Sequence, residues 1–239
     1  AVSMLVSLGI IEGKPDGSYA PTENVDRAQM AKMLSVIMNK GVDNSALYQS
    51  VNSGLVDVNT NWAKGHINYC YTTGIIAGRG NGKFDPSATV TALEAAKMLL
   101  VAVGYDPAIE GFEGADWAIN VSVRADEQGI FEGFTKDLSA PLNRDDAALL
   151  IYNALDVEMI QSYTTNNYPI VYSDHRTILS DKYGVIKVEG VVTANEWAIL
   201  DDDTDTALQE GKTRIYNPDG ILSTTGNTAV AQDFSANVK

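Results

Sequence analysis

Two arginines stand where a side chain could hold an acidic ligand. Arg27 follows Asp26, and Arg144 follows Asn143, each just before apolar residues at helical spacing. Because Asp and Asn are favourable N-cap residues, each arginine is predicted at the first helical position. A cation there opposes the helix dipole at a cost of about 0.3–1 kcal/mol, so another interaction must favour it. A guanidinium beside free helix N–H groups would make a pocket for a carboxylate.

The simpler alternative for both arginines is an ion pair on the surface. The chain is acidic, and Glu23 and Asp145 are close enough in sequence to pair with Arg27 and Arg144. Such exposed pairs contribute little to stability and carry no function by themselves. From the residues alone, ion pairing is the favoured interpretation.

Four further residues are candidates for contact with a ligand. Trp62 and Trp117 could stack on the face of a sugar, although a tryptophan on an apolar helix face is more often part of the core, which is the favoured interpretation. Lys14 and Lys83 lie in glycine-rich loops and could add positive charge, although isolated surface lysines usually bind nothing specific. Asp57, which precedes Trp62, is expected to order a turn.

The composition restricts the classes of partner. The 239 residues include 17 Lys and Arg against 31 Asp and Glu, a net charge of -14, which excludes sequence-blind binding to nucleic acid or to an anionic membrane. One cysteine and two histidines exclude a disulfide scaffold and a His-rich zinc site. The longest apolar run, 98–103, is far below the ~20 residues that span a bilayer. An acidic ligand must therefore be held by individual side chains.

Enzyme and metal signatures are not found in the sequence. The glycines of 78–82 follow a predicted helix and do not make a dinucleotide fingerprint, and Ser173, Asp174 and His175 are consecutive, which a catalytic triad does not allow. His66 is expected on a helix surface. The chain is therefore predicted to be non-catalytic, with no cofactor and no metal.

One acidic segment has the beginning of a calcium loop. Asp201, Asp203 and Asp205 have the spacing of the first ligands, but Thr206 and Lys212 stand where glycine and a bidentate glutamate are needed. A solvated hairpin turn is the favoured interpretation.

These candidate residues sit within a repeat. Gly9-Ile10-Ile11 recurs 65 residues later as Gly74-Ile75-Ile76 and then, after 55 more, as Gly129-Ile130-Phe131. A glycine-rich loop with an aromatic residue and a proline follows the first two copies, at 13–21 and 80–86. The third loop, 133–141, is expected to keep its ends, including Pro141, and to lose its middle. Three copies of a helix-loop-helix unit are therefore predicted.

Each copy then begins a second helix at a capping sequence. The N-cap and the residue three positions later are Asp26 with Gln29, Thr91 with Glu94, and an imperfect Asn143 with Asp146. Gly74 is predicted to end the preceding helix in the left-handed conformation. The second copy has Ala92 where the others have arginine.

The order of motifs in each copy resembles the S-layer homology repeats of bacterial surface proteins, over about residues 1–155. This order is Trp-Ala, a helix, Gly-Ile-Ile, Gly-x-x-Gly-aromatic-x-Pro and the start of a capped helix. The resemblance implies a pseudo-threefold helical spindle whose grooves hold a secondary cell-wall polysaccharide, often with a pyruvyl ketal. The arginine of the family's Thr-Arg-Ala-Glu motif falls on Arg27 and Arg144, so the resemblance favours ligand binding over ion pairing. Ala92 implies that the second repeat's pocket is inactive or accepts a neutral group, which leaves at most two competent grooves.

The last third of the chain has a different pattern. From about residue 156, apolar and polar residues alternate, as in 185–194, and turn clusters separate the runs at 201–205 and 217–220. A small β-rich domain is predicted here. Both ends of the chain are expected to be cropped, the first inside a helix and the second inside this domain or its linker.

The combined prediction is an α+β multidomain protein. S-layer homology repeats occupy 1–50, 51–106 and 107–156, and the β-rich domain occupies 157–239. The predicted function is non-catalytic, non-covalent anchoring of a surface protein to an anionic, pyruvylated secondary cell-wall polysaccharide, outside the cell at a Gram-positive wall. The alternative is a lattice or protein-protein spacer with degenerate repeats. A third interpretation is a carbohydrate-active enzyme with its catalytic domain beyond Lys239.

Overall fold

A computed structural model describes residues 1–188, 190–198 and 208–216, and the backbone of 231–235. The helices are α1 (Val2–Ser7), α2 (Arg27–Met38), α3 (Lys64–Thr72), α4 (Ala92–Val103), α5 (Trp117–Glu127), α6 (Arg144–Ala154) and α7 (Ile178–Tyr183). The strands are β1 (Ile160–Tyr163), β2 (Pro169–Val171), β3 (Val191–Asn195), β4 (Lys212–Tyr216) and β5 (Ala231–Ser235). Among the residues described, the helices are all too short or too polar to cross a bilayer.

The predicted local signals set the bounds of the helices. Asp26 and Thr91 each complete a capping box at the start of α2 and α4, and Asn143 caps α6 through its side chain. Gly74 ends the α3 segment with φ +78°, and the amide of Ile75 then donates to the carbonyl of Cys70 at 2.9 Å. These predictions are confirmed.

The segments before α2, α4 and α6 meet in a closed ring of backbone hydrogen bonds. The amide of Val25 donates to Leu142 (2.8 Å), that of Leu142 to Val90 (2.7 Å), and that of Val90 to Val25 (3.0 Å). All three side chains are buried. Because each residue has the same place before its helix, every repeat contacts the other two in the same way at this point.

A single core lies around this ring. Helix α2 packs against α3, α4 against α5, and α1 against α6, so the helix pairs combine elements of different repeats. The largest fully buried side chains come from all three copies and include Leu5, Met30, Leu34, Ile67, Leu99, Leu100, Ile130 and Leu150. The surfaces between these paired helices are therefore junctions between repeats.

The segments after α6 begin with an antiparallel hairpin of β1 and β2, followed by α7. Ile160 and Leu179 are buried in the same core as the helices, and the amide of Asp106 donates to the Tyr163 hydroxyl at 2.9 Å. The predicted domain boundary at residue 157 stays a prediction. The β1–β2 hairpin and α7, which lie beyond it, pack against the helices.

A second sheet has the antiparallel order β3-β4-β5. It confirms strand formation for part of the alternating region, including 191–194. The acidic segment with Asp201, Asp203 and Asp205 and the turn cluster at 217–220 lie outside the described residues. Within the described ranges, no three His, Cys, Asp or Glu side chains are grouped to hold a metal ion.

Gly65 tests how closely the first two repeats approach. An alanine in the middle of a helix is normally more stable than glycine by about 0.5–1 kcal/mol. In α3, a Cβ at Gly65 would overlap the carbonyl oxygen of Ser45 and lie 2.9 Å from the Gln49 side chain. We therefore expect Gly65→Ala to lower the free energy of unfolding by about 1–3 kcal/mol, as an overpacked core position does. Urea denaturation measures the change, with Lys64→Ala as the control, and a more stable Gly65→Ala protein would contradict the close approach.

Candidate functional site

The N–H groups at the helix starts are not free. The first N–H of α2, from Arg27, donates to the carbonyl of Ala88 at 2.9 Å, and the third donates to the Asp26 carboxylate at 2.7 Å. The first N–H of α6, from Arg144, donates to Glu23 at 2.9 Å. The expectation of a carboxylate pocket made by free helix N–H groups is therefore wrong, because turn carbonyls of a neighbouring repeat occupy these donors.

The second N–H of each helix follows the same rule. It donates to a turn carbonyl of the neighbouring repeat, with pairs Ala28 to Pro86 (2.9 Å), Leu93 to Leu138 (3.1 Å) and Asp145 to Pro21 (3.1 Å). Leu138 thus takes the position of the two prolines. The expectation that Pro141 ends the third loop in the same way is wrong, because Pro141 lies three residues farther along the chain.

Arg27 is a buried link between the first and second repeats. Arg27 is 4% exposed. Its Nε donates to the carbonyl of Phe84 at 2.8 Å, and its Nη2 donates to the carbonyl of Ala77 at 2.9 Å. The guanidinium carbon lies 4.4 Å from the centre of the Phe84 ring. Burial, with a smaller contribution from the charge of Arg79, lowers the pKa of Arg27 to about 10, so the side chain remains a cation at neutral pH.

Arg144 makes the same link from the third repeat to the first. Its Nε donates to the carbonyl of Tyr19 at 2.8 Å, its Nη2 donates to that of Glu12 at 2.9 Å, and its guanidinium lies 4.9 Å from the Tyr19 ring. The hydrogen bonds of both arginines thus go to backbone carbonyls instead of the carboxylates of Glu23 and Asp145. Ion pairing, the alternative from the residues alone, is wrong for both.

The third junction lacks both halves of this link. Ala92 replaces the arginine on α4, and Lys136 stands in the loop where the other copies have Tyr19 and Phe84. Lys136 instead pairs with Asp146 at 2.5 Å. The position without an arginine, Ala92 on α4, therefore faces the loop of the third repeat. The loop of the second repeat keeps its arginine, because Arg27 binds it.

Two grooves lie beside the linked loops. Groove 1 joins all three repeats, encloses about 180 Å³, and is lined by residues that include Ile11, Glu12, Tyr19, Lys32, Trp62 and Arg144. Groove 2 encloses about 480 Å³ and is lined by residues that include Arg27, Ala77, Arg79, Lys97, Phe112 and Trp117. Both grooves contain an arginine, a lysine and a tryptophan at matching positions of the repeat, and groove 2 has a second arginine, Arg79. Such a set could hold the carboxylate and the apolar face of an acidic sugar.

The lysines of the two grooves were missed as candidates. Lys32 and Lys97 occupy the same place in the identical tetrapeptides 31–34 and 96–99, which was the signal for them. The Nζ of Lys97 donates to the carbonyl of Phe112 at 2.5 Å and lies 5.8 Å from the Trp117 ring. Burial lowers the pKa of Lys97. The corresponding residue of the third repeat is Leu149, which cannot bind an anion.

The predicted tryptophans differ in burial. Trp62 is 58% exposed, so its interpretation as a core residue is wrong, whereas Trp117 is half-buried and packs against the core. Both line a groove. Their indole rings project from the starts of helices that belong to the following repeat, which is why the helix pattern alone misplaced Trp62.

The loop residues have structural contacts. Lys14 pairs with Glu23, and Lys83 is exposed in a turn; neither residue lines groove 1 or groove 2. Asp57 accepts hydrogen bonds from the amides of Phe84 (2.9 Å) and Asp85 (2.8 Å). The expectation that Asp57 orders a turn is confirmed, and the turn is the one that Arg27 holds.

His66 is buried, so its predicted place on a helix surface is wrong. It is 4% exposed, its Nδ1 lies 2.6 Å from the Ser35 hydroxyl, and its Nε2 lies 3.7 Å from the Asp43 carboxylate. Because Ser35 is also buried, inside α2, this Ser-His-Asp group has no access for a substrate. It links α2 to α3 beside Trp62.

Comparisons with known proteins find similarity to the S-layer homology domain and to bacterial surface proteins. The S-layer homology domain model matches residues 1–31 and 56–96. A cell surface protein of Thermoanaerobacter kivui is 29% identical over 98% of this chain and 28% of its own length. An S-layer protein of Bacillus licheniformis is 32% identical over 46% of the chain and 12% of its own length.

Some relatives are enzymes by name. An amylopullulanase of Thermoanaerobacterium thermosulfurigenes is 30% identical over 65% of the chain and 9% of its own length. The chain therefore spans less than a third of the length of each of these three relatives.

Removal of a linking arginine should destabilise the fold. We expect Arg27→Ala to lower the free energy of unfolding by about 2–4 kcal/mol, because two charge-assisted hydrogen bonds are lost and their carbonyls are left without a donor. Urea denaturation measures the loss. Arg79→Ala, which removes a more exposed ion pair with Glu94 (2.7 Å), is the matched control and should change stability by about 1 kcal/mol or less. Equal losses in the two variants would contradict the linking role.

His66 should make stability depend on pH. Burial lowers the pKa of His66 from its usual 6.5, against a smaller opposing effect of Asp43. The unfolded chain therefore binds the proton more tightly, so the stability that is present above pH 6.5 decreases as the pH falls below that value. Urea midpoints at pH 7.5 and 5.5 should differ less in His66→Gln than in the wild type. An identical difference in both proteins would show that another group is responsible.

Proposed function

We propose that this chain, which is similar to bacterial surface proteins and matches the S-layer homology domain, anchors its parent protein to an anionic secondary cell-wall polysaccharide. The repeats form the pseudo-threefold spindle that the ring of backbone hydrogen bonds supports. Grooves 1 and 2 hold acidic sugars of the polymer, for which a pyruvyl ketal supplies a carboxylate on a sugar ring. The location is extracellular, at the cell wall.

One observation carries this proposal: the matched arginine, lysine and tryptophan in grooves 1 and 2. A net charge of -14 repels polyanions at a distance, so binding must depend on short-range contacts inside the grooves. Each groove is lined by a buried or half-buried arginine, a lysine from the second helix of a repeat and a tryptophan. Carboxylate recognition and sugar stacking both use such groups.

The third junction is proposed not to bind the polymer. Ala92 and Leu149 replace the arginine and the lysine, and Phe131, Phe134 and Leu138 pack against the core there. An acidic sugar would meet no cation at these positions. Of the three junctions, two are therefore competent.

The anchoring role of these repeats is proposed to be non-catalytic. The repeats and the S-layer relatives support a surface function, whereas the amylopullulanase shares similar sequence and is named as an enzyme. Similar repeats thus accompany different parent proteins. A lattice or protein-protein spacer is the second candidate, and exposed apolar residues on α5, Ile119 and Val123, favour it.

Sedimentation with cell-wall sacculi tests the anchoring proposal. Sacculi are purified from a bacterium that displays an S-layer homology protein, and part of the sample is extracted with hydrofluoric acid to remove the secondary polymer. We expect Lys32→Ala plus Lys97→Ala to weaken binding by about tenfold or more, since each lost charged contact is worth about 1.4 kcal/mol or more. The wild type should not bind extracted sacculi.

The matched control for this experiment is Lys14→Ala plus Lys83→Ala. It removes the same charge from lysines that do not line either groove, so its binding should remain within about twofold of the wild type. Equal weakening in the two double variants, or wild-type retention on extracted sacculi, would contradict the proposal. Sheet formation without sacculus binding would favour the spacer.

A further inference from the structure

We propose that Glu12 weakens acid binding in groove 1 and that groove 2 is consequently the stronger site for the polymer. This inference rests on the proposed function, and it assigns different roles to two grooves that share an arginine and a lysine at matching positions of the repeat. Glu12 occupies one position of the repeat, and Ala77 occupies the same position 65 residues later. A single acidic side chain therefore distinguishes the two sites at a matching place.

Glu12 covers the lysine of groove 1. Its Oε2 lies 3.2 Å from the Nζ of Lys32, with 73% of the Glu12 side chain and 32% of the Lys32 side chain exposed. Both residues line the groove. The carboxylate of an incoming sugar would need the same ammonium group, so it competes with Glu12 and is also repelled by it.

The backbone at position 12 has the opposite role. The carbonyl of Glu12 accepts a hydrogen bond from Arg144 at 2.9 Å, as the carbonyl of Ala77 does from Arg27. The fold requires this carbonyl in both grooves, but it does not require a particular side chain. The side chain at position 12 can therefore change the affinity of groove 1 for an acidic sugar without changing the fold.

In groove 2, the position that matches Glu12 has no carboxylate to compete for Lys97. The Nζ of Lys97 donates to the neutral carbonyl of Phe112, and Ala77 has no charge. Glu94 is held by Arg79 at 2.7 Å and by the amide of Thr91 at 3.2 Å, within the capping box. Glu113 also lines groove 2 and acts on Lys97 only electrostatically.

The net formal charge of the lining residues does not separate the grooves. Groove 1 has Arg144 and Lys32 against Glu12. The charged lining residues of groove 2 are Arg27, Arg79, Lys97, Glu94 and Glu113. Each set is positive by one charge, so the difference lies in which cation is already paired. The larger volume of groove 2, about 480 Å³ against about 180 Å³, also favours a sugar there.

A reciprocal exchange between the two positions tests the proposal. The probe is a methyl hexopyranoside with a 4,6-linked pyruvyl ketal, titrated by calorimetry, with the same glycoside without the ketal as the neutral control. Lys97→Ala serves as the background for groove 1, and Lys32→Ala serves as the background for groove 2. Positions 12 and 77 are both exposed, so the exchanged side chains should not disturb folding, which circular dichroism checks.

The two exchanges should act in opposite directions. In the groove 1 background, we expect Glu12→Ala to tighten ketal binding by about three- to tenfold, the range for loss of an exposed ion pair and its repulsion. In the groove 2 background, Ala77→Glu should weaken binding by a similar factor. Glu12→Gln, which keeps the shape and removes the charge, should tighten binding as Glu12→Ala does.

The outcomes separate this inference from the anchoring proposal. If the wild type binds the ketal while Glu12→Ala leaves the affinity of groove 1 unchanged or weaker, the inference is overturned and anchoring stands. Tightening by Glu12→Ala but not by Glu12→Gln would show a steric cause and would also overturn it. If the wild type binds neither the ketal glycoside nor sacculi, the anchoring proposal is wrong, and the inference about Glu12 is wrong with it.

Discussion

The structure depends on how the N–H groups at the starts of α2, α4 and α6 are satisfied. A helix cannot bond its first N–H groups internally, and a buried N–H without a partner is costly. Here the capping residue satisfies the third of them, and turn carbonyls of a neighbouring repeat satisfy earlier ones, as Ala88 does for Arg27. Each second helix is therefore completed by another repeat, and the chain of donors closes through Val25, Leu142 and Val90.

This constraint gives the two arginines a structural role, beside which the proposed function adds a role in binding. The helix dipole disfavours a cation at the first helical position, but Arg27 gains two carbonyl acceptors and an aromatic face from the adjoining loop. Since the loop and the arginine come from different repeats, the positive charge lines a groove between them. Where the aromatic residue is replaced by Lys136, the arginine is replaced by Ala92. The arginine and the aromatic residue of each link are therefore either both present or both absent.

Local features of the fold could be predicted from the sequence, whereas the partners at the junctions could not. The caps at Asp26 and Thr91 and the turn at Gly74 involve residues within a few positions, so residue type and spacing were sufficient. The acceptors of Arg27 lie 50 and 57 residues away, and His66 is buried by a neighbouring helix. A helix pattern shows which residues share a face but not which neighbour covers that face, so the pattern predicts a core position for Trp62 and does not indicate Lys32.

The division of the three junctions is the central claim, and a crystal structure with the ketal glycoside bound tests it most directly. Ketal carboxylates are expected within hydrogen-bonding distance of Lys97 in groove 2 and, at high ligand concentration, of Lys32 in groove 1. The third junction, beside Ala92 and Leu149, should contain no ketal. A ketal bound at that junction, or bound away from both lysines, would contradict the claim that the paired arginine and lysine define the competent grooves.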